Sequence, residues 1–279
     1  MNQVIRETNA SRPARRRGKL FAIRGELSRR GYLSGVLLVV AAALLVWSAL
    51  SYGGLVNRTF LPTPGQVLTQ FIAQLGSSVF WHHVGISIFR VSMGFLLACL
   101  LGIPLGILAG TFRFAEALLV PPTEFIRYMP ATAFIPLIMV WAGIGEWAKI
   151  LVIFIGCFFQ LLLMVADNTR AVSNDLLQTS YTLGASRWQA IEKVLIPALL
   201  PDLMNTLRLI IGWAWSYLVV AELVAASSGL GFAIMKAQRF LNTDLIFVGI
   251  IAIGLLGLLT DRIFAYCHRR FFPWQEGAR

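Results

Sequence analysis

Residues 91–110 read VSMGFLLACLLGIPLGILAG, twenty residues without a charged side chain. An α-helix needs about 20 predominantly apolar residues to cross the hydrocarbon core of a bilayer. Because lipid offers no hydrogen-bond partner to an open backbone, a run of this kind is expected to be helical. The stretch therefore predicts a membrane-spanning helix.

The composition of the 279-residue chain extends this interpretation to the whole protein. Hydrophobic residues make up 57% of the chain and charged residues only 13%, against about 25% charged residues in an ordinary soluble domain. The chain is also far too apolar to be disordered. The net charge of +11 comes without any nucleic-acid reading motif, so we expect no nucleic-acid partner. The composition predicts an all-α integral membrane protein.

The apolar runs predict six transmembrane helices. They cover about 33–51, 85–110, 131–144, 150–165, 206–225 and 245–266. The third run is short and contains Pro136, so we expect this span to borrow from segment 114–128. The predicted organisation is a basic tail over residues 1–32, a transmembrane domain over 33–270 and a second tail over 271–279.

The basic residues are shared unequally between the two sides of this predicted bundle. Eighteen of the 24 fall on the side that holds both termini, nine of them in the N-terminal tail. The opposite side has four: Arg58, Lys149, Lys236 and Arg239. Positively charged connections tend to stay in the cytoplasm, and anionic lipid attracts such a tail. Both termini are therefore predicted to be cytoplasmic, with lipid contacts at the tail.

The longest connection on the predicted cytoplasmic side, residues 174–197, reads NDLLQTSYTLGASRWQAIEKVLIP. Gly184 is a candidate left-handed helix terminator. Ser186 and Gln189 match a capping box for a second helix, which Pro197 is expected to end. The pattern predicts a helix–turn–helix elbow, which is either a docking surface for a partner or a plain solvated hairpin.

The sequence contains no recognisable catalytic motif. There is no HExxH and no Gly-x-Ser-x-Gly, and Gly18-Lys19 is followed by Leu20, where a phosphate loop needs Ser or Thr. His82 and His83 have no partner at metal-ligand spacing. We therefore predict a non-catalytic chain with no metal and no cofactor of its own.

Five residues are candidates for a solute path, because polar groups are costly inside a membrane and need a reason to be there. They are Arg90, Glu124, Arg127, Trp215 and Glu222. A cation at Arg90 or Arg127 would favour an anionic solute. The alternative for Arg90 is a structural ion pair with Glu222, which would satisfy both charges.

Three further patterns on the predicted spans lead to expectations. Gly102, Gly106 and Gly110 form a stripe of small residues that favours close helix packing. The aromatic residues Trp213, Trp215 and Tyr217 lie in the middle of a span, where they are candidates for a gate. Arg208 is expected to extend towards the membrane surface.

The elbow resembles the cytoplasmic loop of permease subunits of ATP-binding-cassette (ABC) importers. That loop has Glu-Ala-Ala, a Gly four residues after the last Ala, and Ile-x-Leu-Pro beginning ten residues after the Gly. Gly184 and Pro197 are in register, and Val194 and Ile196 take the apolar places. A departure lies at the Glu-Ala-Ala places, which hold Gln178, Thr179 and Ser180.

Other stretches resemble the permeases of nitrate, sulfonate and taurine importers, over roughly residues 60–275. They are LPTP at 61–64, EFIR at 124–127, IPL at 135–137 with WAGIGE at 141–146, LGASR at 183–187, and VAEL at 220–223 with GLGF at 229–232. The resemblance implies a type I importer permease in the bacterial inner membrane. It also implies transport of a small anionic solute, such as a sulfonate or taurine.

The same resemblance implies partners for this chain. They are a second copy of the permease, two cytoplasmic ABC ATPase subunits that bind ATP and Mg, and a periplasmic or lipid-anchored solute-binding protein. The residues implied in ATPase coupling are Gln178, Thr179, Ser180, Leu183, Gly184, Ala185, Ser186 and Arg187. The alternative is a secondary transporter or channel that works without ATP.

Overall fold

The computed structural model describes residues 29–57 and 59–276, which fall into two units divided at residue 58. The first unit contains helix α1, Arg29–Tyr52. Its sequence is apolar around the whole circumference, as expected for a helix surrounded by lipid. The helix begins four residues before the predicted span and so includes the end of the predicted basic tail. The rest of that tail, residues 1–28, lies outside the described residues.

The regular secondary structure of the second unit, within its described residues, is entirely helical. α3, α6, α9 and α11 are its long helices, and the shorter elements connect them. The elements are α2 (Pro64–Leu75), α3 (Ser78–Thr111), α4 (Arg113–Arg127), a 3₁₀ turn (Ala131–Phe134), α5 (Ile135–Ala142), α6 (Glu146–Ala171), α7 (Asn174–Thr182), α8 (Arg187–Ala190), a π-helical turn (Ile191–Leu195), α9 (Ile196–Ala225), α10 (Leu230–Arg239), α11 (Thr243–Phe271) and α12 (Pro273–Glu276).

Judged by length and composition, five helices in the described part of the chain can cross a membrane, and a bent pair makes a possible sixth span. The bent pair is α4 with the following segment Ala131–Ala142, and the bend between them is 93°. This pair joins the two segments that the third predicted span was expected to combine, and their union as one span stays a prediction. The long helices extend beyond the predicted apolar runs, since polar turns at either end continue the helix.

α3, α6 and α9 pack together to form the core of this unit. α3 and α6 run in the same direction, because Gly94 faces Ile153 and Gly110 faces Thr169. We call the end of the bundle where α6 begins, at Glu146, the distal end, and the end where α6 leads into α7 the elbow end. The core side chains include Val91, Ala98, Ile153, Cys157, Ile210, Ala214 and Leu218.

The glycine stripe on α3 sets the distance between α3 and α6. A Cβ atom on Gly106 would lie 2.7 Å from the carbonyl oxygen of Leu162, and one on Gly110 would lie 2.6 Å from that of Ala166. Both distances are too short for a real contact, so only glycine permits this approach. The prediction that the stripe serves helix packing is confirmed.

Candidate functional sites

The connection predicted to form the elbow, residues 174–197, contains two short helices, α7 and α8, joined by a turn of fixed geometry. Gly184 has a φ angle of +86°, a conformation that favours glycine. Its N–H donates to the carbonyl of Tyr181 at 2.9 Å, and the N–H of Ala185 donates to that of Ser180 at 3.0 Å. These two hydrogen bonds form a Schellman motif. The predicted left-handed terminator is confirmed.

The second helix of the elbow begins with the predicted capping box. The N–H of Ser186 donates to Oε1 of Gln189 at 2.8 Å, and the N–H of Gln189 donates to Oγ of Ser186 at 3.4 Å. The first helix is capped in turn by Ser173, whose Oγ accepts the N–H of Asp175. Local hydrogen bonds therefore hold the shape of the elbow without help from a partner.

Most of the residues implied in ATPase coupling are exposed on the elbow. Ala185 is half-buried, and Ser180 is buried with its hydroxyl donating to the carbonyl of Leu177 at 2.7 Å. The exposed ones are Gln178, Thr179, Leu183, Gly184, Ser186 and Arg187.

Apolar side chains stand out on the surface of the elbow. Leu183 is 83% exposed and Trp188 is 73% exposed, with Leu176 and Tyr181 about half exposed. Clustered exposed apolar groups mark interaction surfaces. Sequence reasoning did not single out Trp188, although an aromatic residue in a polar connection was an available signal.

The prediction that Pro197 ends the second elbow helix is wrong. Helical structure continues from Arg187 through the π-helical turn and into α9, which ends at Ala225. A proline inside a helix lacks an N–H and its ring crowds the carbonyl four residues earlier. The wider π-helical turn at Ile191–Leu195 ends two residues before Pro197, with the N–H of Ile196 donating to the carbonyl of Ile191, and it accommodates both defects. The elbow is therefore continuous with a membrane span.

A surface ion network ties the base of the elbow to α4. Arg170, near the end of α6, donates from Nη1 to Glu116 at 2.8 Å and from Nη2 to Asp167 at 2.6 Å. Glu116 lies in the first turn of α4. Exposed pairs of this kind contribute little to stability, but they fix where the two helices meet.

At the distal end, Arg90 lies at the centre of an ion cluster that is buried except for the exposed Glu146. Its guanidinium donates to both carboxylate oxygens of Glu146 at 2.6 and 2.7 Å, and to Glu222 at 2.7 Å. Lys149 donates to Glu146 at 2.9 Å. Ser87 donates to Glu222 at 2.8 Å. These five residues, called the Arg90 cluster below, contain two cations and two anions, so the formal charge is balanced.

The Arg90 cluster also fixes the turn between α9 and α10. Arg90 donates to the carbonyl of Ser228 at 2.7 Å, and Glu222 accepts the N–H of Gly231 at 2.7 Å. Gly229 has a φ angle of +112°, and its N–H donates to Nδ1 of His83 at 3.0 Å. His83, one of the two adjacent histidines, thus supplies a hydrogen-bond acceptor that helps to hold the turn.

The five solute-path candidates fall in three separate places. Arg90 and Glu222 are both buried in the Arg90 cluster, as the ion-pair alternative expected. Trp215 is buried in the core, where its Nε1 donates to Thr260 at 3.1 Å. Glu124 and Arg127 are exposed at the end of α4, beside the bend. Sequence reasoning missed Glu146, although its position beside a predicted span end was visible.

Arg208 pairs with a carboxylate on a neighbouring helix. Its guanidinium forms a two-pronged pair with Asp261 of α11, with Nη2 donating to Oδ2 at 2.8 Å. The pair therefore joins α9 to α11. The side chain of Arg208 is still partly exposed, so its extension towards the membrane surface stays a prediction.

Known proteins resemble this chain over most of its length. A taurine transport system permease protein, TauC, of Escherichia coli is 35% identical over 90% of this chain and 92% of its own. A permease protein named for aliphatic sulfonates transport, SsuC, of Bacillus subtilis is 37% identical over 89% and 90%. A bicarbonate transport system permease protein, CmpB, of Synechococcus elongatus is 32% identical over 95% and 97%.

A solved structure shares the fold. An inward-facing structure of the MetNI methionine ABC transporter aligns with a TM-score of 0.55 over 67% of this chain and 95% of its own, at 22% identity. Residues 102–273 match the family described as the inner membrane component of binding-protein-dependent transport systems. The chain belongs to this family of membrane permeases of ABC importers.

Proposed function

We propose that the elbow is the surface through which cytoplasmic ATPase subunits drive this permease. One observation carries the proposal: a rigid elbow with exposed Leu183 and Trp188 is continuous with the helix that runs to Ala225. A partner that moves the elbow therefore moves a span directly. The apolar side chains would supply the buried centre of the docking interface.

The complete importer would contain two copies of this chain, two ATPase subunits and a solute-binding protein. The sequence has no phosphate loop, so ATP and Mg would be held by the ATPase partners. The basic bias of the sequence supports a cytoplasmic position for the elbow end and both termini. The distal end would then meet the binding protein, and solute would pass between the two permease copies.

The proposed solute is a small anion such as a sulfonate or taurine. The relatives TauC, SsuC and CmpB are named for taurine, aliphatic sulfonates and bicarbonate, and each of these solutes carries an anionic group. Among the five path candidates, Arg127 is the one that supports this choice, because it is a cation, it is exposed, and no ion pair neutralises it within the described residues.

A double substitution on the elbow tests the coupling proposal. The full importer, purified through a tag on this chain and reconstituted in liposomes, is compared with the Leu183→Asp/Trp188→Asp variant. Two new charges in the docking interface should release the ATPase and lower ATP-driven uptake more than tenfold. Arg269→Gln, an exposed change near the end of α11, is the control and should leave both readouts unchanged.

Two results would contradict the coupling proposal. Normal uptake and normal ATPase content in the elbow variant would remove the elbow as the docking surface. Uptake by this chain alone, without ATPase subunits, would instead support the secondary transporter or channel.

A further inference from the structure

A small cavity lies at mid-depth in the bundle, beside the bend between α4 and α5. Its volume is about 60 Å³, and its polar lining side chains are Arg127, Gln160, Trp213 and Tyr217. Gln160 lies about 21 Å along the axis from the start of α6, and Trp213 lies about 18 Å from the end of α9, at about 1.5 Å per residue. Both positions fall within a hydrocarbon core of about 30 Å.

The polar side chains of this cavity have unused hydrogen-bonding capacity. Within the described part of the chain, the side chains of Gln160, Trp213 and Tyr217 make no hydrogen bond. Arg127 donates once, to the hydroxyl of Tyr128 at 3.1 Å, although a guanidinium carries five N–H donors. Arg127 and Trp213 are exposed, and Gln160 and Tyr217 are half-buried, so their donors are open to a ligand that pairs with the whole set.

The chemistry of the lining selects one class of ligand. The guanidinium, the amide, the indole N–H and the phenol all offer donors, and none of the described residues that line the cavity carries a carboxylate. Such a set suits a compact anion with several acceptor oxygens. A cation would meet Arg127 without a counter-charge.

We propose that this cavity is the subsite that binds the anionic headgroup of the solute, with a sulfonate as the ligand class. Arg127, Gln160, Trp213 and Tyr217 donate to the headgroup oxygens when solute arrives at mid-depth. This inference rests on the proposed function, since it assumes that the permease carries an anion.

The cavity offers apolar as well as polar contacts. Its volume of about 60 Å³ exceeds the smallest space that holds one water molecule, about 10–15 Å³ by the same measure. The rings of Phe134 and Phe159 also border the cavity, and they offer apolar contact to the part of the solute next to the headgroup.

Gly156 holds one of the donors in place. A Cβ atom on Gly156 would lie 2.6 Å from Cγ and 2.7 Å from Cε2 of Tyr217, so the absence of a side chain lets the Tyr217 ring rest on α6. Gly156 is therefore a positioning residue for the Tyr217 hydroxyl. Gly156→Ala would displace the ring from the cavity wall.

The experiment uses the complete reconstituted importer and radiolabelled taurine, ethanesulfonate, nitrate and bicarbonate as probes. Trp213→Phe and Tyr217→Phe each keep a ring and remove one donor, and each should lower uptake about tenfold, the effect of losing one hydrogen bond to a charged group. Trp274→Phe and Tyr266→Phe, at exposed positions outside the cavity, are the matched controls and should retain wild-type uptake.

The charge at position 160 separates ligand binding from packing. Gln160→Glu should abolish uptake of the anionic probes, whereas Gln160→Lys should retain it within about threefold, because only the carboxylate repels the ligand. ATP hydrolysis stimulated by the binding protein should persist in all of these variants. Equal losses in the glutamate and lysine variants would show that position 160 serves packing, which overturns the subsite.

The same experiment distinguishes a failure of the proposed anionic solute from a failure of the subsite alone. If the wild-type importer takes up none of the four probes, the anionic solute is wrong and the subsite falls with it. If the wild-type importer takes up a probe and Trp213→Phe, Tyr217→Phe and Gln160→Glu all behave as wild type, the proposed function stands and the subsite alone is overturned.

Discussion

Two arginines in the membrane-spanning part of this permease have opposite surroundings. Arg90 is fully buried, contacts two glutamates and a backbone carbonyl, and lies in a cluster whose charges balance. Arg127 is exposed beside a small cavity and has no carboxylate partner among the described residues. Both looked alike in the sequence, as cations in or next to an apolar run.

The difference indicates which of the two is available to a solute. A guanidinium whose donors already meet carboxylates gains nothing from an additional anion, and removing it leaves buried charges behind. A guanidinium with unused donors can still pair with an anion, as the proposed subsite requires. Arg90 should therefore matter for stability, and Arg127 for uptake.

The largest expected effect comes from Arg90→Met. The change leaves Glu222 buried without its cation, and breaking a buried pair in this way costs about 3–5 kcal/mol. We expect a much lower apparent melting temperature in detergent and little assembled complex. A wild-type melting temperature would contradict the structural role assigned to Arg90.

A double variant checks the cause of that loss. Arg90→Met/Glu222→Gln removes both charges and leaves the pair of Glu146 with Lys149 intact. Part of the lost stability should return, with an interaction energy of about 1–3 kcal/mol. Additive effects of the two single changes would show that the charge pairing is not what holds this region together.

An intermediate effect is expected from Gly229→Ala. Gly229 has a φ angle of +112°, and a Cβ atom there would overlap the carboxylate of Glu222. Backbone strain and this overlap together should cost about 2–3 kcal/mol, measured as a fall in melting temperature.

Gly143→Ala is the matched control for backbone strain. Gly143 also has a positive φ angle, +72°, but open space around its Cα, so the cost should be about 1 kcal/mol. Equal losses in the two variants would mean that the Glu222 carboxylate yields to the added methyl group.

The smallest expected effect on stability comes from Arg127→Met. Arg127 has one hydrogen bond and a ring contact, both with the adjacent Tyr128. The free energy of unfolding should therefore change by no more than about 0.5 kcal/mol, with a correspondingly small shift in melting temperature. Uptake of an anionic probe should nevertheless fall about tenfold. Normal uptake in this variant would remove the contrast between the two arginines.

The sequence predicted the features that depend on local chemistry. The apolar runs indicated the spans. Gly184 indicated the left-handed turn, and Ser186 with Gln189 indicated the capping box. Each of these three features depends on neighbouring residues alone. The close packing at the glycine stripe on α3 was also predicted, since glycines four residues apart lie on one face of a helix.

The sequence did not reveal features that depend on distant residues. Glu146 meets Arg90 only after α6 packs along α3, and Asp261 meets Arg208 only when α11 lies beside α9. The helix end assigned to Pro197 failed for a different reason. A π-helical turn leaves no strong sequence signal, and it removes the conflict that normally makes proline a helix terminator.

The unbroken helix from Arg187 to Ala225 contains the start of the second elbow helix and Glu222. It therefore fixes both the distance between them and the directions in which they face around the helix axis. Each residue of an α-helix turns its successor by about 100°. Inserting or deleting one residue between positions 198 and 214 would leave the composition of the span almost unchanged. It would nevertheless rotate the Glu222 carboxylate away from Arg90, or turn the elbow away from the ATPase proposed to bind it. Substitutions in this rod can be absorbed locally, whereas a change in its residue count cannot.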